Sequence, residues 1–191
     1  MSLPAPSARK PLHTRRISFE GFLRDDGLWD IDAELHDSKS YPIHMRDRGD
    51  LAAGEAIHHM RIRVTVDDSL TIREIATAMD SAPFSECQAA ADPMTKLIGV
   101  TLGAGWRKAI DSAIGGVAGC THLRELLFNV ATAAFQTIPV YRSQQKEAEG
   151  QRPDADAPAY YLDKCMSWDT AGPVVQRLMP MFYRPRANAK D

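Results

Sequence analysis

The stretch Thr14-Arg15-Arg16-Ile17-Ser18-Phe19-Glu20-Gly21-Phe22-Leu23-Arg24-Asp25-Asp26-Gly27-Leu28-Trp29-Asp30-Ile31-Asp32-Ala33-Glu34-Leu35 decides the fold class. Ile17, Phe19, Gly21 and Leu23 point one way, and Arg16, Ser18, Glu20 and Arg24 the other. A period of two is the mark of a strand. Asp25-Asp26-Gly27 supplies a tight turn, because glycine accepts positive φ. Alternation then resumes with Trp29, Ile31, Ala33 and Leu35 against Asp30, Asp32, Glu34 and His36. Together these segments predict an antiparallel hairpin.

Outward from the hairpin, residues 37–55 are polar, with Pro42, Gly49 and Gly54, and read as a connecting loop. Alternation returns at Ile57. His58, Met60, Ile62, Val64 and Val66 share one face; His59, Arg61, Arg63 and Thr65 share the other. Asp67-Asp68-Ser69 makes a second turn. Leu70 to Met79 is open between two readings: Ile72, Ile75, Ala76 and Met79 fit a helical stripe, whereas the preceding turn suits a strand.

After Pro83 the pattern is helical. Short helices are expected over 85–91 and 93–98, and another opens at Trp106 and ends at Gly115-Gly116. The longest is expected over 121–137, with Leu123, Leu126, Leu127, Val130, Ala131 and Ala134 buried and Pro139 as its stop. The predicted class is α+β: an antiparallel sheet of three or four strands within 14–79, packed by helices within 85–138. Residues 1–13 read as a flexible lead, 14–140 as a single α+β domain, 141–159 as a linker, and 160–191 as an apolar C-terminal extension that docks on the domain or on a partner.

Composition limits the function classes. The 191 residues carry 23 basic and 25 acidic side chains, a formal net charge of -2, which argues against a protein held to nucleic acid by its overall field. No stretch has the roughly 18 to 20 apolar residues of a membrane span. Cys87, Cys120 and Cys165 are too few, and odd in number, for a disulfide framework. The expectation is a soluble cytoplasmic protein with reduced thiols, binding neither nucleic acid nor membrane, with its tail docked on the domain or on a protein partner and its oligomeric state open.

Chemistry concentrates in Gly115-Gly116-Val117-Ala118-Gly119-Cys120-Thr121-His122-Leu123. Glycines permit close approach of the backbone just before a long helix, so Cys120 and His122 stand at its N-terminus. Free N–H groups and the positive dipole end stabilise a thiolate there. The plainer alternative makes Cys120 a small buried residue and His122 a capping or core histidine. Cys87 lies near a helix start and His58 on the apolar face of a strand, where each alone is more often packing. Together Cys87, Cys120, His122 and His58 form a Cys₂His₂ set, enough for tetrahedral zinc or a small iron–sulfur cluster, though their spacing is not that of a compact zinc finger. Cys165 is read as structural, and Asp25-Asp26 and Asp67-Asp68 as turn formers. Arg15-Arg16 and the cluster Arg177, Arg184, Arg186 and Lys190 are read as solvated. No P-loop or dinucleotide fingerprint is present.

Over roughly residues 12–138 the chain resembles an uncharacterised bacterial family known only as a domain of unknown function. The resemblance rests on Thr14-Arg15-Arg16, Asp26-Gly27-Leu28-Trp29-Asp30, His58-His59-Met60-Arg61-Ile62-Arg63, Pro83-Phe84-Ser85-Glu86-Cys87 and the Gly-Cys-Thr-His-Leu motif. More distantly, the order of Met60–Asp68, Cys87 and Gly119–Leu123 is similar to iron–sulfur cluster assembly scaffold proteins. That resemblance implies a three-stranded antiparallel sheet under helices, with a cluster or zinc gathered at one end. Cys87 would stand for the cysteine after the third strand, and Cys120 with His122 for the pair at the last long helix. No cysteine precedes Met60, where the scaffolds carry one, and His58 is the nearest substitute. The resemblance also implies that 70–79 is a strand. Three functions follow as expectations: a Cys/His metal or thiol site in iron–sulfur or sulfur handling; a non-enzymatic accessory or interaction protein without metal; and an enzyme using Cys120 as nucleophile with His122 or His58 as base.

Overall fold

A computed structural model describes residues 2–151 and 161–186. The chain divides into two compact units, Met1–Arg142 and Ser143–Asp191. Residues 152–159 of the expected linker, and Tyr160 and 187–191 of the expected extension, lie outside the described residues. No helix among the described residues is long and apolar enough to cross a membrane.

The first unit is α+β. Strands β1 (His13–Leu23), β2 (Trp29–Lys39), β5 (Ala56–Val66) and β6 (Ile72–Ser81) form one antiparallel sheet in the order β1-β2-β5-β6. The expected hairpin is β1–β2, with Gly27 at φ 84° in its turn. The expected 37–55 loop is shorter than its composition suggested. β2 runs on to Lys39, and β3 (Ile43–Met45) and β4 (Gly49–Leu51) pair as a separate small hairpin.

The open segment is a strand, β6, and its misleading period has a physical cause. Val64 and Val66, two apart on β5, face Ile75 and Ile72, three apart on β6, because the register shifts between Thr65 and Val66. A bulge inserts one residue and changes the spacing of the inward side chains. Ile72 and Met79 are buried where a regular strand would have turned one of them outward.

One face of the sheet is apolar: Trp29, Ile31, Ala33 and Leu35 on β2 beside Met60, Ile62, Val64 and Val66 on β5. A 3₁₀ segment (Ser85–Leu97), helix α1 (Trp106–Ile114) and helix α2 (Thr121–Ala148) supply the opposing core through Leu97, Ile110, Ile114, Leu123, Leu126 and Val130. The two short helices expected over 85–98 are thus one continuous 3₁₀ segment with Pro93 inside it. Trp106 donates its Nε1–H to the Leu127 carbonyl at 2.8 Å, which ties α1 to α2 inside the core. The other face of the sheet is polar and carries cross-strand pairs such as Arg63–Asp32 and Arg61–Asp80.

α2 does not stop at Pro139 but continues to Ala148. An interior proline forfeits one backbone hydrogen bond and crowds the preceding turn. Contacts on both sides of the proline hold the helix to the sheet against that cost. Ile138 is buried, Tyr141 meets Trp29 edge-on at 5.7 Å, and Arg142 donates to the Asp68 carbonyl at 3.2 Å. Just before it, α2 presses on β1: a Cβ at Gly21 would lie 2.2 Å from Thr137 Oγ1 and 2.8 Å from its Cβ.

The second unit contains helix α3 (Pro173–Leu178) between two short 3₁₀ turns, Met166–Trp168 and Pro180–Phe182. Asp163, at φ 57°, accepts hydrogen bonds from the Thr170 N–H and hydroxyl, and Arg186 pairs with Asp169 at 2.5 Å.

Two stability predictions follow from this packing. Gly21→Ala forces Thr137 and α2 away from β1 and should lower stability by about 1–3 kcal/mol in denaturant unfolding; an unchanged midpoint would contradict the close approach. The β5–β6 turn hangs on Asp67, which accepts from the Ser69 N–H and hydroxyl, the Thr71 N–H and the Arg73 guanidinium. Burial alone would raise its pKa, but those donors outweigh it and pull the carboxyl from 3.8 down to about 2. The unfolded chain therefore binds the proton more readily, so this contribution is complete above pH 3.8 and is lost as pH falls through about 2. Asp67→Ala should accordingly destabilise at neutral pH and flatten the acid limb of the pH–stability curve.

Candidate metal centre

The apolar face of the sheet ends in a polar row. Arg15 on β1 is the register partner of Asp37 on β2, and Asp37 is the partner of His58 on β5. Each continues the inward alternation of its strand: Arg15 precedes Ile17, Asp37 follows Leu35, and His58 precedes Met60. A bulge between Asp37 and Ser38 shifts the register there, and the ladder ends one pair on at Ser38 and Ala56. The first turn of α2 lies over this row, so residues far apart in sequence meet. The imidazoles of His58 and His122 stand 4.0 Å apart between centroids, tilted by 36°. His58 Nδ1 is 3.2 Å and His122 Nε2 is 4.0 Å from Asp37 Oδ2. Donor atoms of Asp37, His58 and His122 all lie within 4.8 Å of one another.

Asp37 is only 2% exposed. A carboxylate so buried has to be compensated by charge or hydrogen bonds. Arg15 donates to Oδ2 at 3.1 Å and also pairs with Glu125 on α2, and His13 Nε2 stands 3.5 Å from Oδ1. Yet Asp37 Oδ1 and His58 Nδ1 are both buried without a hydrogen-bond partner; the 3.2 Å approach of His58 to the carboxylate is misaligned for one. Buried groups of this kind call for an explanation, and a bound ion is one of the standard ones. Burial lowers the pKa of His58, with His122 adding to the effect and Asp37 opposing it. Burial likewise lowers His122, helped by Arg15 and opposed by Asp37 and Glu125. Both rings are therefore held toward the neutral form, which is the form that ligates metals.

Of the four residues singled out from sequence, two belong to this cluster and two stand beside it. Cys120 immediately precedes α2, its carbonyl accepting the Arg124 N–H at 3.0 Å, and its Sγ lies 3.6 Å from His122 Nδ1. Cys87, on the 3₁₀ segment after β6, lines one cavity of about 700 Å³ together with His58, Cys120 and His122. Among the described residues the converging donors are thus two imidazoles and a carboxylate. Asp37 was missed because the polar composition after it suggested a loop. The parity 29-31-33-35-37 was the available signal, since it places a carboxylate on a core face. Arg15 is not a solvated tail charge: it bonds the buried Asp37.

Two neutral imidazoles and one carboxylate are a donor set used for zinc and for ferrous iron, and neither Asp37 Oδ1 nor His58 Nδ1 is engaged in a hydrogen bond. Arg15 on Oδ2 supplies the outer-shell hydrogen bond that ligating carboxylates generally need. Because the Asp37 charge raises both imidazole pKa values, Asp37→Asn should lower the titration midpoints of His58 and His122, read by NMR of the ring protons; unchanged midpoints would contradict the geometry.

No curated protein and no solved structure matches this chain. A family model, described as protein of unknown function (DUF2889), matches residues 13–136. That span contains β1 through most of α2 and every residue of the cluster, and the chain belongs to the DUF2889 family.

Proposed function

We propose that this domain binds one divalent transition-metal ion, zinc or ferrous iron, through Asp37, His58 and His122, and presents it to a small molecule in the adjoining cavity. The observation that carries the reading is the pair of orphaned buried atoms, Asp37 Oδ1 and His58 Nδ1, inside a cluster whose donors lie within 4.8 Å. Three protein ligands leave a position open, which distinguishes catalytic and ligand-binding metal sites from closed structural ones. The bound ion would act as a Lewis acid toward an oxygen or nitrogen donor.

The chain's own residues divide the remaining tasks. Arg15 orients the carboxylate. With its hydrogen on Nδ1, His122 would donate to the Cys120 sulfur, leaving Nε2 unprotonated and facing Asp37. The cavity wall is largely apolar, with Met60, Pro83, Phe84 and Val117, and its charged members Asp47 and Glu86 are acidic. That lining favours a neutral or cationic molecule over an anionic one.

The 3.6 Å contact between Cys120 and His122 also supports a second reading, a thiol nucleophile with His122 as base. The two differ in one proton. Ligation needs hydrogen on Nδ1, whereas a base for Cys120 needs Nδ1 free and hydrogen on Nε2 toward Asp37. Iron–sulfur handling is the less favoured form of the metal reading, since clusters are held mainly by thiolates and the converging donors here are nitrogen and oxygen.

Cobalt(II) titration of metal-free protein separates these readings. One equivalent should bind with ligand-field bands of a nitrogen–oxygen site, and His122→Ala or Asp37→Ala should weaken binding by at least about tenfold. Cys120→Ser should leave stoichiometry intact and produce no change in the near-ultraviolet. Loss of a sulfur-to-cobalt band on that substitution would indicate thiolate ligation. Absence of binding, with rapid alkylation of Cys120 at neutral pH, would replace the metal by the thiol.

A further inference from the structure

β1 is an edge of the four-stranded sheet, and among the described residues no strand pairs with its outer side. Its register with β2 is unbroken over eleven residues, and it contains neither proline nor bulge. Natural sheets normally blunt such an edge, because a row of unpaired N–H and C=O groups is a template for another strand. α2 leaves it uncovered: it lies over the inner face of β1, where Glu125 meets Arg15 and Thr137 meets Gly21. Ile17, Phe22 and Leu23 are 37%, 47% and 49% exposed.

The outward backbone groups can be assigned. Leu12 accepts from Ser40 N–H, and Arg24 donates to the Leu28 carbonyl, both across to β2. Hydrogen-bonded positions alternate in an antiparallel pair, so even-numbered residues of β1 face β2. His13, Arg15, Ile17, Phe19, Gly21 and Leu23 therefore turn their N–H and C=O groups toward the open edge.

We propose that this edge pairs with β1 of a second copy of the chain, antiparallel and centred on Ser18, to give one continuous eight-stranded sheet. The register selects itself. Only a two-fold at Ser18 aligns all eleven residues of the strand, and it makes the odd-numbered residues hydrogen-bonded partners, Ile17 with the partner's Phe19 and Arg15 with the partner's Gly21. It also sets Arg16 opposite the partner's Glu20, twice. The ion pairs around them join other residues, Arg15 with Asp37 and Glu125 and Arg63 with Asp32, and neither Arg16 nor Glu20 has an ion-pair partner among the described residues. They fall at positions without cross-strand hydrogen bonds, where facing side chains come closest. Moving the two-fold by one residue puts Arg16 opposite serine or phenylalanine and strands both charges. Such an interface is isologous and closes at two copies.

Sedimentation equilibrium of the full chain should show a dimer at micromolar concentration. Arg16→Glu, which sets acid against acid, should weaken it by about tenfold, and adding Glu20→Arg should restore it. An independent measurement fixes the register. The two-fold brings Ser18 within about 4.5 Å of its copy between Cα atoms, inside disulfide range. Ser18→Cys should cross-link on mild oxidation, whereas Glu20→Cys, displaced from its own copy, should not exceed the parent chain with its three native thiols. A monomeric parent chain, a dimer indifferent to Arg16→Glu, or equal cross-linking at 18 and 20 would overturn the proposal.

Discussion

The buried carboxylate of Asp37 is the constraint around which the functional end of the domain is organised. It continues a row of side chains, Trp29, Ile31, Ala33 and Leu35, that is otherwise apolar and covered. Almost without solvent, it needs compensation from what surrounds it. Arg15 on β1 answers that need with a hydrogen bond, and His13 on β1, His58 on β5 and His122 on α2 stand around the carboxylate from two strands and a helix. Charge compensation and the placement of α2 on the sheet are therefore parts of one arrangement, with Arg15 bridging Asp37 and Glu125.

That arrangement is compensated but not saturated. Two of its buried polar atoms lack hydrogen bonds, whereas much of the polar face of the sheet is paired through contacts such as Arg63–Asp32 and His59–Glu34. The cluster's interest lies in Asp37 Oδ1 and His58 Nδ1, two unpartnered buried atoms on residues whose donors converge. The cavity beside them opens between the 3₁₀ segment after β6 and the glycine-rich approach to α2, so Cys87 and Cys120 line it even though nitrogen and oxygen occupy the tightest cluster. The tautomer of His122 links the two chemistries available there, since the proton on one ring nitrogen decides whether the other serves a metal or the sulfur serves as a nucleophile.

Where sequence reasoning succeeded and failed is traceable to individual residues. The β1–β2 hairpin and β5 were legible because a half-buried strand writes a period of two. β6 was ambiguous because a bulge beside Val66 spaced Ile72 and Ile75 three apart, imitating a helix turn. Pro139 looked like a stop because its cost is local, whereas the contacts of Ile138, Tyr141 and Arg142 that offset it are long-range. His58, Cys120 and His122 could be picked out as chemistry-bearing types in suggestive local settings. Asp37 was marked only by its parity with Trp29, Ile31, Ala33 and Leu35, and Arg15 resembles an ordinary surface charge until its strand partners are known.

By itself, the sequence determined the alternating strands, the turns at Gly27 and Asp67, the helical stripe of α2 and the position of Cys120 and His122 at its start. These are local properties, set by side-chain periodicity and backbone preference within a few residues. Only the tertiary structure decided that Arg15, Asp37 and His58 share one row, that α2 sets His122 above them, and that β1 is an edge strand unpaired on its outer side among the described residues. Strand order, register and the seating of a helix are settled by contacts between residues far apart in the chain, and it is those contacts that turn scattered polar side chains into a site.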